Sequence, residues 1–241
     1  MVIGRKGILE LLDSGKQIEK IFLQTGTRGD FEKELRERLK NRSIPVQYVA
    51  PQKLNKMTSG NHQGVIASIS LVEYQSVENV VSHLYEQGEI PFIVILDGVT
   101  DVRNFGAICR SAEIFGAHAI VSPLKNSAII NEFTFKASAG ALSHLTVCRE
   151  KSLNNVVESL QSLGLQIIGA DHHADKSIEE LDFTVPLAVV MGDEGEGISQ
   201  HMSKKIDQKF KINQIGKTES LNVSVAAGVV FYEISKSRLK I

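Results

Sequence analysis

The period of the apolar positions changes along the chain, and each change marks an element. Residues 7–12 carry apolar side chains at helical spacing, 19–23 read as a strand, 30–40 as a helix, and 46–49 and 65–72 as strands. Together they predict a compact α/β domain over residues 1–72. Polar residues 73–78 follow, and a helical stretch at 77–85 leads through Gly88 and Pro91 into a second unit. Residues 73–90 are therefore set apart as linker and leading helix, and 91–241 as the second domain. There strands at 92–96, 117–121, 166–170, 187–191 and 208–212 alternate with helices at 104–115, 153–163, 199–204 and 222–235. Short, unbroken, β-branched runs such as Phe92–Leu96 suit strands buried on both faces. The alternation predicts an α/β fold with a parallel sheet and helices on both of its faces.

Composition narrows the class. With 42% hydrophobic and 23% charged residues and 5 prolines, the chain can bury a core and is neither disordered nor collagen-like. Its apolar runs fall far short of the roughly 20 residues that span a bilayer, so no membrane partner is expected. Arg5 and Lys6 interrupt the start where a secretory leader would be apolar, which makes the cytoplasm the expected compartment. Cys109 and Cys148 lack metal-ligand spacing and read as buried thiols, and no metal is expected. The net charge of −1 hides an asymmetry. Residues 1–72 hold 12 Lys and Arg against 7 Asp and Glu, a balance of +5, and the remaining 15 basic and 21 acidic residues leave −6. A basic binding module joined to a more acidic body has this signature, although the interleaved charges of 31–40 also suit a solvated helix face.

In a parallel α/β sheet, ligands bind where strands end, so the loops after strands carry the candidate chemistry. The first, 96–112 (LDGVTDVRNFGAICRSA), opens a helix in which Asn104 is a natural cap, with Arg110 six residues on in an apolar stretch. A guanidinium there meets an anion or lines a cleft, or else pairs with a carboxylate such as Glu113 or Glu194. The second, 189–199, places Gly192, Gly195 and Gly197 after a buried strand. Glycines there let a ligand approach the backbone. Asp193, Glu194 and Glu196 repel phosphate and favour a nucleoside or a cation. The third, 212–228, presents Ser220 and Asn222 as caps of a helix whose run Ala226, Ala227, Gly228 suits close packing.

In this order and spacing, 96–112, 190–199 (VMGDEGEGIS) and 220–228 (SLNVSVAAG) strongly resemble the three signature motifs of the SpoU, or TrmH-like, branch of the SPOUT methyltransferases. Residues 3–10 (IGRKGILE) and 61–65 (NHQGV) resemble the ends of the small substrate-binding domain of the 23S ribosomal RNA enzymes in that family. The resemblance implies transfer of methyl from S-adenosyl-L-methionine to a ribose 2′-hydroxyl of RNA. It implies 23S ribosomal RNA and guanosine before transfer RNA, because the transfer RNA branch generally lacks the N-terminal domain. For the fold it implies an N-terminal α/β RNA-binding domain and a C-terminal SPOUT domain whose chain is threaded through a deep trefoil knot.

Carried over residue by residue, the resemblance assigns Asn104, Arg110, Glu194, Ser220 and Asn222 to the catalytic site. It assigns Met191, Gly192, Ile212, Ser220 and Leu221 to a cofactor held in a bent form by backbone contacts and apolar packing. It also implies a homodimer, with 136–141 (KASAGA) resembling a family segment beside the subunit interface. A guanidinium stays protonated in proteins, so Arg110 suits binding of the neighbouring RNA phosphate and orientation of the hydroxyl better than it suits a base. Two rivals stand beside this reading. Asp171, His172 and His173 match the DHH phosphoesterase signature without its further metal motifs, so an exposed loop is expected there. A non-catalytic RNA-binding or ribosome-assembly protein of the same fold would be expected to have lost at least one of the five polar positions.

Overall fold

The computed structural model describes residues 1–40, 42–218 and 220–239, and the chain divides after Glu73 into two units. Glu219, in the third loop, lies outside the described residues. The first unit runs β1 (Val2–Ile3), α1 (Arg5–Asp13), β2 (Ile18–Gln24), α2 (Asp30–Leu39), β3 (Val46–Val49), α3 (Pro51–Met57) and β4 (Val65–Ile69). Its sheet has the order β1-β4-β2-β3, with β2 and β3 parallel and β4 antiparallel to both β1 and β2. The period-2 pattern of β2 explains the packing. Ile21 and Leu23 join Ile8, Leu12, Phe31 and Leu35 of α1 and α2, while Phe22, between them, meets Leu54 of α3 on the opposite face.

The second unit continues β5 (Tyr74–Gln75), α4 (Val77–Glu86), β6 (Phe92–Leu96), α5 (Val102–Ile114), β7 (Ala119–Pro123), α6 (Glu132–Ala137) and β8 (Thr146–Glu150). It ends α7 (Leu153–Ser162), β9 (Gln166–Ala170), β10 (Leu187–Met191), α8 (Gln200–Ser203), β11 (Gln208–Phe210) and α9 (Val223–Arg238). The seven strands are parallel in the order β11-β9-β10-β6-β7-β8-β5. One face buries Ile93, Ile95, Val121, Ile167 and Val190 beneath Val81 of α4 and Val157 of α7. On β6, Phe92 turns the other way and meets Phe231 of α9 edge-on at 5.7 Å. Among the described residues no helix is long and apolar enough to cross a membrane.

Five elements lie outside the sequence expectation: β1, α3, β5, α6 and β8. β8 has only the apolar pair Val147 and Cys148 before it ends in Arg149 and Glu150, so it lacks the unbroken apolar run that marked its neighbours. β5 corrects the linker. Tyr74 and Gln75 pair in parallel with Val147 and Cys148, and Ser76 caps α4 by accepting from the Asn79 N–H, so this segment is a strand and helix of the second unit. Two residues are too few to leave a period in the sequence.

Candidate active site

The carboxyl ends of β9, β10 and β11 and the start of α9 surround a cleft of about 300 Å³. Met191, Gly192, Glu194, Ile212, Ser220 and Leu221 all line it, drawn from two loops about twenty residues apart in the chain. Apolar walls from Phe210, Val223 and Ala226 face the carboxylates of Asp193, Glu194 and Glu196.

Beside it, three polar side chains close into one network. Asp101, and not Asn104, caps α5: its carboxylate accepts the N–H groups of Arg103 and Asn104 at 2.9 and 3.0 Å. Those bonds, that of Asn104 foremost, hold the Asp101 carboxyl below the usual carboxylate range. Asn104 is thereby released from capping, and its Nδ2 donates to Glu194 Oε2 at 3.0 Å. Asn222 does cap α9, accepting the Ser224 N–H at 2.9 Å through Oδ1. Its Nδ2 then points to Asn104 Oδ1 at 3.2 Å and Glu194 Oε1 at 3.1 Å. Capping fixes the amide, and the fixed amide orients the carboxylate. Ser220 is not the cap of α9, and it lines the cleft.

The three glycines of the loop differ. A Cβ on Gly192 would stand 2.1 to 2.3 Å from the backbone of Gly197 and Ile198, so the loop packs on itself at that position, whereas nothing lies within 4 Å of a Cβ on Gly197, and all three glycines line the cleft. Asp193 and Gly197 exchange both backbone hydrogen bonds at 3.0 Å, with Gly197 in the left-handed region at φ +69°. Asp97, at the end of β6, accepts the Ser199 N–H at 2.8 Å and ties the loop to the sheet. The glycines build a tight knuckle that presents Glu194.

Arg110 is exposed on α5, does not line the cleft, and makes no hydrogen bond or ion pair among the described residues. The alternative pairing with Glu113 or Glu194 is not formed, since both oxygens of Glu194 accept from amides. Ala227 is buried where α9 lies against α5, and a Cβ on Gly228 would sit 3.7 Å from Ser111 Oγ. Both cysteines are buried, with Cys109 pushed above the usual thiol range and Cys148 to about 12, in each case chiefly by burial.

Sequence reasoning missed His172, Lys211 and Gln214, which also line the cleft. His172 is exposed, as expected, with its ring 3.8 Å from that of His173. Asp171 pairs with Lys209 at 3.2 Å. The available signal was position: all follow the ends of β9 and β11, where parallel sheets place ligands. Among the described residues no cluster could hold a metal ion. The arrangement suits an organic cation with a flat apolar part, the charge toward the carboxylates and the ring against the aliphatic wall.

Comparison with known proteins gives the same picture. The sequence model of the SpoU rRNA Methylase family matches residues 91–232, and that of the RNA 2′-O ribose methyltransferase substrate-binding domain matches residues 1–75. The chain is 35% identical over 237 residues to YacO of Bacillus subtilis (strain 168), assigned to the TrmH family of tRNA/rRNA methyltransferases, covering 98% of this chain and 95% of YacO. The fold is similar to that of the SpoU methyltransferase AviRb from Streptomyces viridochromogenes in complex with AdoMet, with TM-score 0.63, 24% identity, and coverage of 100% of this chain and 90% of AviRb. The A. aeolicus TrmH/SpoU tRNA modifying enzyme, at 27% identity and TM-score 0.58, covers 68% of this chain and 84% of its own.

Proposed function

The chain belongs to the SpoU rRNA Methylase family of RNA 2′-O-ribose methyltransferases, and on that premise we propose that it methylates the 2′-hydroxyl of a guanosine in 23S ribosomal RNA. The family's methyl donor is S-adenosyl-L-methionine. When bound, it supplies an electrophilic methyl group on a sulfonium. The residues present fit it. Phe210, Ile212, Leu221 and Val223 offer an apolar bed for the adenosine, and Glu194 and its neighbouring carboxylates face the positive charges.

The single observation that carries the reading is the network of Asn104, Glu194 and Asn222, which joins all three motifs at the edge of that cleft. Ser220 and Leu221 extend the cleft toward it. Arg110, exposed on α5, has no carboxylate partner among the described residues and is available to grip an RNA phosphate and orient the adjoining 2′-hydroxyl. The phosphate then helps to accept the hydroxyl proton, because the guanidinium itself remains protonated. Positioning the hydroxyl in line supplies a large share of the rate.

Ribosomal RNA is favoured by the first unit, which matches the substrate-binding model over residues 1–75, whereas the A. aeolicus tRNA modifying enzyme covers 68% of this chain. A homodimer is supported by an exposed apolar stripe on α9, Val225, Val229 and Tyr232, beside exposed Ile114 of α5. Convergence of the loops at 192–197, 212–214 and 220–223 on one cleft supports the trefoil-knot threading. The test is incorporation of label from methyl-tritiated S-adenosyl-L-methionine into unmodified ribosomal RNA and, separately, transfer RNA, followed by nucleoside mass spectrometry. The expected product is 2′-O-methylguanosine in ribosomal RNA. Label confined to transfer RNA refutes the substrate, and no label with intact donor binding refutes catalysis on free RNA.

A further inference from the structure

We propose that a carboxylate-free concavity in the first unit, built around Arg5, Arg28 and His62, is where that unit grips a phosphodiester and an adjoining base of substrate RNA. The inference rests on the RNA methyltransferase reading above and names the residues by which the first unit would act in it. The concavity, of about 630 Å³, is lined by Arg5, Gln24, Thr27, Arg28, Asn61, His62 and Gln63, with glycines between them. No Asp or Glu lines it, whereas the cleft of the second unit carries four acidic side chains, Asp171, Asp193, Glu194 and Glu196.

Its geometry is set by the fold. Gln63, at φ +48°, and Gly64, at φ +81°, turn the chain into β4, and the Gln24 N–H at the end of β2 donates to Gly64 O at 2.8 Å. The Arg5 N–H, first in α1, donates to Gln63 Oε1 at 3.0 Å, and Arg5 Nε donates to Gln63 O at 3.3 Å. The guanidinium also lies 5.3 Å from the centre of the Phe31 ring, so it is held without a carboxylate partner among the described residues. Its charge stays available to an anion, beside the positive end of α1.

His62 is pinned on both nitrogens. Nδ1 accepts the Gly64 N–H at 3.0 Å, and Nε2 faces Asn55 Oδ1 at 2.8 Å. The ring's polar atoms are therefore spent, and what it offers the concavity is a flat face of the kind on which bases stack. Arg28 is exposed and has no hydrogen bond or ion pair among the described residues. Two guanidiniums suit a phosphate bidentately, and amides and a hydroxyl at Gln24, Asn61, Gln63 and Thr27 can read a base edge. An unpaired nucleotide with its phosphate offers that combination.

The test measures binding of the full-length chain to unmodified ribosomal RNA transcribed in vitro, over a range of salt, for wild type, Arg28→Glu and Arg5→Gln. Donor affinity is measured in parallel by calorimetry and folding by circular dichroism. Arg28 is exposed, so its variant is expected to fold as wild type. The expected result is at least tenfold weaker RNA binding for Arg28→Glu and a salt dependence shallower by about one ion, with donor affinity unchanged. Methyl transfer should then show a raised KM for RNA and an unchanged kcat. If the wild-type chain methylates RNA and both variants bind it within twofold of wild type, the concavity is not the RNA site and an acidic protein becomes the partner to seek. If the wild-type chain transfers no methyl to RNA, the reading on which the concavity rests falls first.

Discussion

Asn104 and Glu194, ninety positions apart in sequence, meet at 3.0 Å through Nδ2 and Oε2, and Asn222 bonds to both. Asn222 is therefore both a helix cap and an active-site link, and the two duties separate by substitution. Asn222→Ala should lose about 1 kcal/mol of stability with its cap, whereas Asn222→Ser should keep most of that stability. Both should lose methyl transfer, because neither side chain can reach Asn104 and Glu194. Thermal midpoints and initial rates, measured on the same preparations, decide it. Full activity in the serine variant would remove the network from the mechanism.

Arg110 is exposed on α5 and does not line the cleft that fits the donor, and it has no internal partner among the described residues. Arg110→Ala should leave donor affinity within about twofold, since a change below roughly 0.4 kcal/mol is under a third of a tenfold step. Methyl transfer should fall by at least about a hundredfold, in the range lost when an oriented electrostatic contact is removed. Calorimetry showing a large loss of donor binding would contradict this division of roles.

Gly192 cannot take a side chain without moving the Gly197 and Ile198 backbone. Gly192→Ala should open the 193–197 knuckle and weaken donor binding at least tenfold. Gly216→Ala, in the third loop, is the matched control, because nothing lies within 4 Å of its Cβ position. Equal donor affinities for the two variants would show that the knuckle does not shape the cleft.

Arg238, near the end of α9, donates to four backbone carbonyls: Phe183 at 2.9 Å, Ile90 at 2.8 Å, and Pro91 and Val185 at 3.0 Å. Burial lowers its pKa to about 10, which leaves it charged at neutral pH. Arg238→Met keeps the apolar stem but strands those acceptors, and should cost on the order of 3 kcal/mol or more. Arg238→Lys should recover only part, since one ammonium cannot reach four divergent carbonyls. Denaturant melts of the three proteins read this directly.

Glu150 has its carboxyl raised above the usual range, first by burial and then by the charge of Glu78. A carboxyl raised on folding is costly when ionised, so its penalty is present at neutral pH and fades as pH falls through its folded pKa toward the unfolded value of about 4.3. Glu150→Gln should therefore be more stable than wild type at pH 7, with the difference vanishing near pH 4. The opposite trend in paired thermal melts would overturn the assignment.

Much of the fold was legible because apolar period reports burial. The runs at Phe92–Leu96 and Leu187–Met191 read as strands covered on both faces, and they lie side by side in register. β8 escaped because only Val147 and Cys148 of its five residues are apolar, and β5, at the sheet edge, because it is two residues long. Asn104 was misread as a cap because Asp101, three residues earlier, satisfies the same local rule, and only the bonds made show which of the two is used.

The sequence by itself determined most of the strands and helices, the two-part charge balance, the motif residues and the family. Each of these depends on neighbours in the chain. Tertiary structure alone decided that Glu194 would be held by Asn104 and Asn222, that the Gly192 space would be filled by its own loop, and that His172 and Lys211 would line the cleft. These meetings join residues far apart in the chain, and side-chain period carries no information about which loops the sheet order will bring to one edge.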